Sequence, residues 1–412
     1  MENLISLIGI PLFLAFAWCL STNRRRFPFR MVLTGLVIQF GVAFFILKTA
    51  PGLAIFEWAR DMAIKILGFA NDGAQMVFGP LANEELLTQV FGPGNAFIMA
   101  VPIFSTIVFV SAISSLLFHW GILQKIVYGL AWLMKSSLKT SGSESLASAA
   151  NIFMGQTEAP LVVKPYINGM TKSEIMSLMT GGMSTIAGSV LMIYVTLGMD
   201  AGHLITASVL SAPGALLIAK ILIPESEKSE TKAGAFIKIE KNSVNSIDAL
   251  CNGAREGIML VFNVLAMLIA FIATISLANF ALSSICQPIF GGSFTIQQIV
   301  AYTQVPFAWL MGVPVQDCFE VAEALGNRIV FNEFIGYQAL SSEDYEISDR
   351  ARILGTYALC GFANFGSIAI QIGGIGQLAP KRSSDLAKLG VISMVGGLIT
   401  CYLTASIIGV FI

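Results

Sequence analysis

The sequence predicts an all-α integral membrane protein: eight transmembrane helices, two re-entrant helical hairpins and interfacial helices, arranged as inverted repeats. Three observations predict it. Of 412 residues, 55% are hydrophobic and only 12% charged, with a mean hydropathy of +0.77. Charge-free windows reach the roughly 20 residues that a helix needs to cross a hydrocarbon core. Polar clusters with glycine or proline interrupt apolar stretches at corresponding places in the two halves of the chain, a pattern of inverted-repeat membrane proteins.

The predicted spans are 3–22, 31–49, 94–118, 175–199, 204–223, 257–283, 353–378 and 389–411. Met1, Glu2 and Asn3 form no basic region and no small-residue cleavage site follows the first apolar run, so it reads as a retained span rather than a signal peptide. Arg24, Arg25, Arg26 and Arg30 follow that span, and basic residues recur at Lys135, Lys139, Lys164, Lys172, Lys228, Lys232, Lys238, Lys241, Lys381, Arg382 and Lys388. With eight spans all of these fall on one side, which basic-residue retention makes the cytoplasmic side. Both termini then lie outside, as do Arg350 and Arg352, accompanied by an acidic run at Glu343, Asp344, Glu346 and Asp349.

Between the second and third spans, Ile55 to Leu67 places apolar residues at helical spacing around Arg60, Asp61 and Lys65, which suits an interfacial helix. Pro224 to Asn245 is the hydrophilic linker between the halves, and its charge run reads as a solvated cytoplasmic loop. The net charge of −1 suggests neither a nucleic-acid partner nor a strongly acidic substrate. The six cysteines, Cys19, Cys251, Cys286, Cys318, Cys360 and Cys401, form no CxxC pair and read as buried small hydrophobes. His119 and His203 are far apart and no HExxH motif exists, which argues against a zinc or iron site and against a membrane-embedded enzyme.

The first interrupted segment is Gly155-Gln156-Thr157-Glu158-Ala159-Pro160. Leu146 to Phe153 is good helix, Gly155 breaks it, and Pro160 suits the start of a new helix, where a missing N–H costs nothing. A hairpin with its tip in the membrane follows, tolerated only where the tip lines a cavity. A span with a small-residue break at Gly181 to Gly188 comes next. The second half repeats the plan, with Asn332-Glu333-Phe334 in a hairpin and a break at Gly361 to Ser367. Glu158 and Glu333 are ionisable groups in apolar segments, which tend to mark substrate or ion paths, against the alternative of an interfacial carboxylate paired with a lysine. For Asn364 and Ser367, ordinary stitching of membrane helices is a strong alternative.

GQTEAP with the following LVVKPYI, NEF and GFANFGSIAI resembles the concentrative nucleoside transporter family over essentially the whole chain. Arg328 stands where the second hairpin motif usually has lysine, Ile335-Gly336 where it has Val-Ala, and Gly366 where a serine is more common. The resemblance implies a homotrimer in which each protomer pairs a scaffold with a mobile transport domain. Residues 1–120 would be scaffold and 121–223 the first transport repeat, with its hairpin at about 143–168. Residues 224–293 would be cytoplasmic linker and a scaffold span, and 294–412 the second repeat, with its hairpin at about 314–341.

The resemblance further implies that Gln156, Thr157 and Glu158 contact the nucleobase, directly or through water, with Val190 beside it and Phe362 nearby. Glu333, Asn364 and Ser367 would hold the ribose hydroxyls, and a vicinal diol does suit a carboxylate acceptor with an amide and a hydroxyl. Sodium would be held by Asn151, the Met154 carbonyl, Thr185 and the Ile186 carbonyl. As a hard cation it favours such oxygen ligands, although interhelical hydrogen bonding would equally account for Asn151 and Thr185. The implied function is a sodium-coupled nucleoside symporter of a bacterial-type inner membrane, taking substrates such as uridine and adenosine by an elevator movement, with no cofactor besides the coupling ion. The same fold driven by protons is the alternative.

Overall fold

A computed structural model describes residues 2–92, 98–232, 243–290, 295–342 and 345–412, and the regular secondary structure among them is helical. In chain order the α-helices are α1 (Glu2–Cys19), α2 (Phe29–Lys48), α3 (Ala50–Phe78), α4 (Glu84–Phe91), α5 (Ala100–His119), α6 (Ile122–Leu138) and α7 (Gly142–Ala150). Then come α8 (Ala159–Val162), α9 (Lys164–Ile167), α10 (Lys172–Ser184), α11 (Gly188–Thr196), α12 (Ala201–Leu222) and α13 (Ser246–Phe290). The remainder are α14 (Ile296–Leu310), α15 (Cys318–Val330), α16 (Glu333–Leu340), α17 (Asp349–Leu359), α18 (Phe365–Leu378) and α19 (Ser383–Phe411). Among the described residues, 7 helical segments are long and apolar enough to cross a membrane, and they fall on seven of the predicted spans.

The eighth prediction, 353–378, is divided. It is the pair α17 and α18, of 11 and 14 residues, separated by Cys360 to Asn364. Asn364 explains the restart: its backbone is extended and its Oδ1 accepts from the Ser367 N–H at 2.8 Å, satisfying a donor that α18 leaves unpaired. The segment predicted as an interfacial helix over 55–67 is the middle of a longer helix, the 29-residue α3, which Thr49 caps and Pro51 opens. The first hairpin's opening helix ends at Ala150, short of the predicted Phe153.

Hydrogen bonds at the helix ends sort the molecule into two sides. The Arg350 guanidinium donates to Asn3, Ser6, the Gly409 carbonyl and the Ile412 carbonyl, so both chain ends meet on its side. At the opposite end of α1 the Thr22 N–H donates to the Leu222 carbonyl, joining the end of α12 and the linker that follows. This is the relative placement that the charge distribution predicts for the termini, Arg350 and the linker.

Most of the described linker residues, among them 225–228, 230 and 232, are exposed as a solvated loop would have them, and the segment is tied to the protein at two points. Glu225 accepts from Lys220 Nζ at 3.1 Å and from the Thr171 hydroxyl at 2.9 Å, and Thr231 is buried against Ser143. The first of these ties is made by Lys220, a buried ammonium that also pairs with Glu144 at 2.7 Å. Lys238, Lys241, Glu343, Asp344 and the Cys286 side chain lie outside the described residues. Cys318, Cys360 and Cys401 are buried as expected, but Cys19 and Cys251 are exposed, one at the end of α1 and the other in the outward-facing start of α13.

Burial divides the helices. α10, α12 and the later part of α19 are enclosed nearly all round, whereas α13 shows Met259, Phe262, Ile269 and Phe280 to the outside, as a lipid-facing helix would. α13 packs on α5 through Gly253 and Gly257, where an added Cβ would stand 2.5 Å from the Ser111 carbonyl oxygen and 2.8 Å from the Val108 Cα. Small residues of this kind let membrane helices approach closely.

Candidate functional site

Both predicted hairpins are formed. In the first, α7 opens with Ser141 and Glu144 capping each other's N–H groups, and residues 151–158 make the turn. The returning limb is two single turns, α8 and α9, divided at Val163 because Pro165 has no N–H to continue the ladder. In the second, α15 runs in, Phe331 and Asn332 turn the chain, and α16 returns from Glu333, with the Asn332 Oδ1 accepting from the Ile335 N–H at 3.1 Å.

Each hairpin meets a break in a membrane helix. The first sits on the gap between α10 and α11: the Gly188 N–H donates to the Phe153 carbonyl at 3.1 Å, and a Cβ at Gly155 would touch Ala187 at 3.1 Å. The second meets the gap between α17 and α18 through Glu333. Its carboxylate is 6% exposed and accepts from the Tyr194 hydroxyl at 2.9 Å and from the Asn364 amide at 3.0 Å.

The polar chain continues to the first hairpin. Ser367 lies three residues beyond Asn364 on the first turn of α18, and its hydroxyl accepts from Gln156 Nε2 at 3.0 Å. Gln156 Oε1 accepts from Gln371 Nε2 at 3.2 Å, and the same nitrogen donates to the Met179 carbonyl of α10 at 3.1 Å. Tyr194, Glu333, Asn364, Ser367, Gln156 and Gln371 therefore form one buried network built from both hairpins and both broken helices. Four predicted residues are brought together here: Gln156, Glu333, Asn364 and Ser367. Val190 is buried one helical turn before Tyr194, on the same face of α11.

Thr157 and Glu158 stand apart from this network. Both are exposed on the hairpin tip, and Glu158 accepts only a long bond, 3.5 Å, from the Gly155 N–H. Phe362 is half-buried in the gap between α17 and α18.

Of the four residues expected at a cation site, one has a side chain that lacks any internal hydrogen-bond partner. Asn151 is 1% exposed, yet neither its Oδ1 nor its Nδ2 has a partner. An unpaired buried amide is costly and calls for a missing ligand. Thr185 ends α10, its hydroxyl donating to the Gly181 carbonyl at 2.9 Å and keeping lone pairs free. The Met154 and Ile186 carbonyls belong to the non-helical turns that meet here. This set of neutral oxygens fits a monovalent hard cation.

Two network members, Tyr194 and Gln371, were missed by sequence reasoning. The signal that singled out Glu158, a polar group inside an apolar run, was present for both, in LMIYV and IAIQI.

Family profiles match three stretches: "Na+ dependent nucleoside transporter N-terminus" over residues 8–81, "Nucleoside recognition" over 100–201 and "Na+ dependent nucleoside transporter C-terminus" over 203–409. Solute carrier family 28 member 3 of Mus musculus is 39% identical over 431 residues, which cover 99% of this chain and 59% of that protein. The chain thus spans about three fifths of the length of such vertebrate relatives. An uncharacterized transporter of Haemophilus influenzae is 39% identical over 420 residues, covering 100% of this chain and 98% of that one. Among solved structures, CNTnw in an inward-facing substrate-bound state superposes with a TM-score of 0.93 at 36% identity, covering 100% of this chain and 98% of the other.

Proposed function

This chain belongs to the Na+-dependent nucleoside transporter family, and from that membership we propose that it is a secondary active symporter importing nucleosides on a sodium gradient. The observation that carries the reading is the hydrogen-bonded line from Gln156 through Ser367 and Asn364 to the buried carboxylate of Glu333. These groups now satisfy one another. A nucleoside with a vicinal diol supplies donors to the carboxylate and acceptors to the amides, so it replaces the internal bonds without leaving any group unpaired. Glu333, Asn364 and Ser367 bind the ribose, and Gln156, Thr157 and Glu158 face the base, with Val190 and Phe362 as its apolar neighbours.

Sodium binds at Asn151, Thr185 and the carbonyls of Met154 and Ile186, where the unpaired Asn151 amide supports the assignment. Because Asn151 and Gln156 lie on the same hairpin tip, an ion there orders the tip that presents the base contacts. By linkage the nucleoside raises sodium affinity by the same factor. The transport domain of two hairpins and two broken helices moves as an elevator against the scaffold of α1–α5 and α13, in a homotrimer of a bacterial inner membrane with both termini outside.

Uptake of uridine and adenosine into proteoliposomes, with sodium replaced by choline at fixed pH and then under a pH gradient, tests this. Sodium-dependent accumulation is expected. Accumulation driven by protons alone would replace sodium with the proton as coupling ion, and uptake without accumulation would mean a passive channel.

A further inference from the structure

We propose that Gln371 is a positioning residue that fixes the Gln156 amide so that its N–H faces the substrate, and that this donor reads the acceptor every nucleobase carries beside its glycosidic bond. The inference rests on the transport reading above.

The orientation follows from one atom that has no choice. The Met179 carbonyl oxygen only accepts, so the end of Gln371 lying 3.1 Å from it is the nitrogen. The same nitrogen lies 3.2 Å from Gln156, which therefore turns its oxygen toward it. Gln156 Nε2 is left facing Ser367 Oγ at 3.0 Å. Turning Gln371 over would set its oxygen against the Met179 carbonyl and drive Gln156 over with it. The fold accepts a penalty to keep the present arrangement: Gln371 Oε1 has no partner although the residue is 1% exposed. Gly182 makes it possible, since a Cβ there would stand 2.6 Å from Gln371 Nε2 and 2.9 Å from Gln156 Cβ.

A donor beside Ser367 lies at the sugar end of the base. The acceptor nearest the sugar is the 2-carbonyl of a pyrimidine or the ring nitrogen at position 3 of a purine, and the two are equivalent in kind and place. A fixed N–H there accepts both classes of nucleoside and rejects a base from which that acceptor has been removed. An amide free to rotate would tolerate the loss by presenting its oxygen.

The test is displacement of radiolabelled uridine from the purified full-length protein in sodium by adenosine, 3-deazaadenosine and 7-deazaadenosine. In the parent protein 3-deazaadenosine should bind about tenfold or more weaker than adenosine, because a buried N–H is left unpaired, while 7-deazaadenosine stays within about threefold. Gln371→Met has the length of glutamine but neither donor nor acceptor, so the penalty for 3-deazaadenosine should shrink to about threefold or less as Gln156 becomes free to turn. A residue that merely packs would lower affinity for all three nucleosides alike and keep their ratio, and that result would overturn the proposal. So would a parent protein that binds uridine but treats adenosine and 3-deazaadenosine equally, a comparison that needs no variant to fold. Absence of any uridine binding would instead remove the transport reading, and this inference with it.

Discussion

Replacing Glu333 by glutamine keeps the shape of the side chain, removes its charge and turns one acceptor oxygen into a donor. The carboxylate now accepts from Tyr194 and Asn364. Asn364 cannot turn to accommodate an amide, because its Oδ1 is held by the Ser367 N–H. The introduced amide must therefore give its oxygen to Asn364 and its nitrogen to Tyr194, whose hydroxyl reverses to accept, so that the fold survives with neutral bonds. The substrate is affected more. Each ribose hydroxyl exchanges a bond to a charged acceptor, about 1.5–3 kcal/mol, for a neutral one of about 0.5–1.5 kcal/mol. Two hydroxyls together lose about 2–3 kcal/mol, which is about 30- to 150-fold in affinity. Calorimetric titration of uridine into the purified variant in sodium measures this, with the thermal midpoint as a check of folding. The parent's preference for uridine over 3′-deoxyuridine should shrink in parallel, and uptake in proteoliposomes should fall below detection. A Glu333→Gln protein that binds uridine within about threefold of the parent would refute the ribose contact, since no charge-assisted bond is worth so little at a buried site.

Three other perturbations bear on the same architecture. Asn151→Ala removes an amide with no protein partner, so the thermal midpoint without sodium should move little, while the sodium concentration for half-maximal uridine uptake rises about tenfold; unchanged sodium dependence would place the ion elsewhere. Tyr194→Phe leaves the Glu333 carboxylate one donor short and should weaken uridine binding by about three- to tenfold, read in the same titration, without abolishing transport. Lys220→Met strands the buried Glu144 carboxylate and should destabilise by about 3–5 kcal/mol, seen as a drop in the detergent unfolding midpoint that Glu144→Gln on the same background partly restores.

Much of the fold was legible because the bilayer imposes it. A spanning helix must satisfy its own backbone and hide its polarity, so seven of the predicted spans could be read from charge-free windows, and both hairpins from the glycine and proline that interrupt such windows. The division of 353–378 was foreshadowed by Gly361 to Ser367, but that Asn364 restarts the helix while also holding Glu333 is a matter of where its amide points. The two points that tie the linker down were hidden for a related reason. Glu225 and Thr231 are soluble by type, and nothing local says that a lysine buried at the end of α12 will reach the first or that Ser143 will bury the second.

The sequence by itself determined the solvent this protein lives in, the sidedness of its ends relative to its linker, and the polar residues placed at membrane depth. These follow from composition and order along the chain, because the cost of putting charge into hydrocarbon is local to each segment. Only the tertiary structure decided which of those residues meet. Glu158 and Glu333 look alike in sequence, yet one is exposed at a hairpin tip and the other is gripped by Tyr194 and Asn364. Contacts such as Gln156 with Ser367 and Gln371 join residues more than two hundred positions apart. Such pairings depend on how hairpins and broken helices dock, which no local pattern encodes.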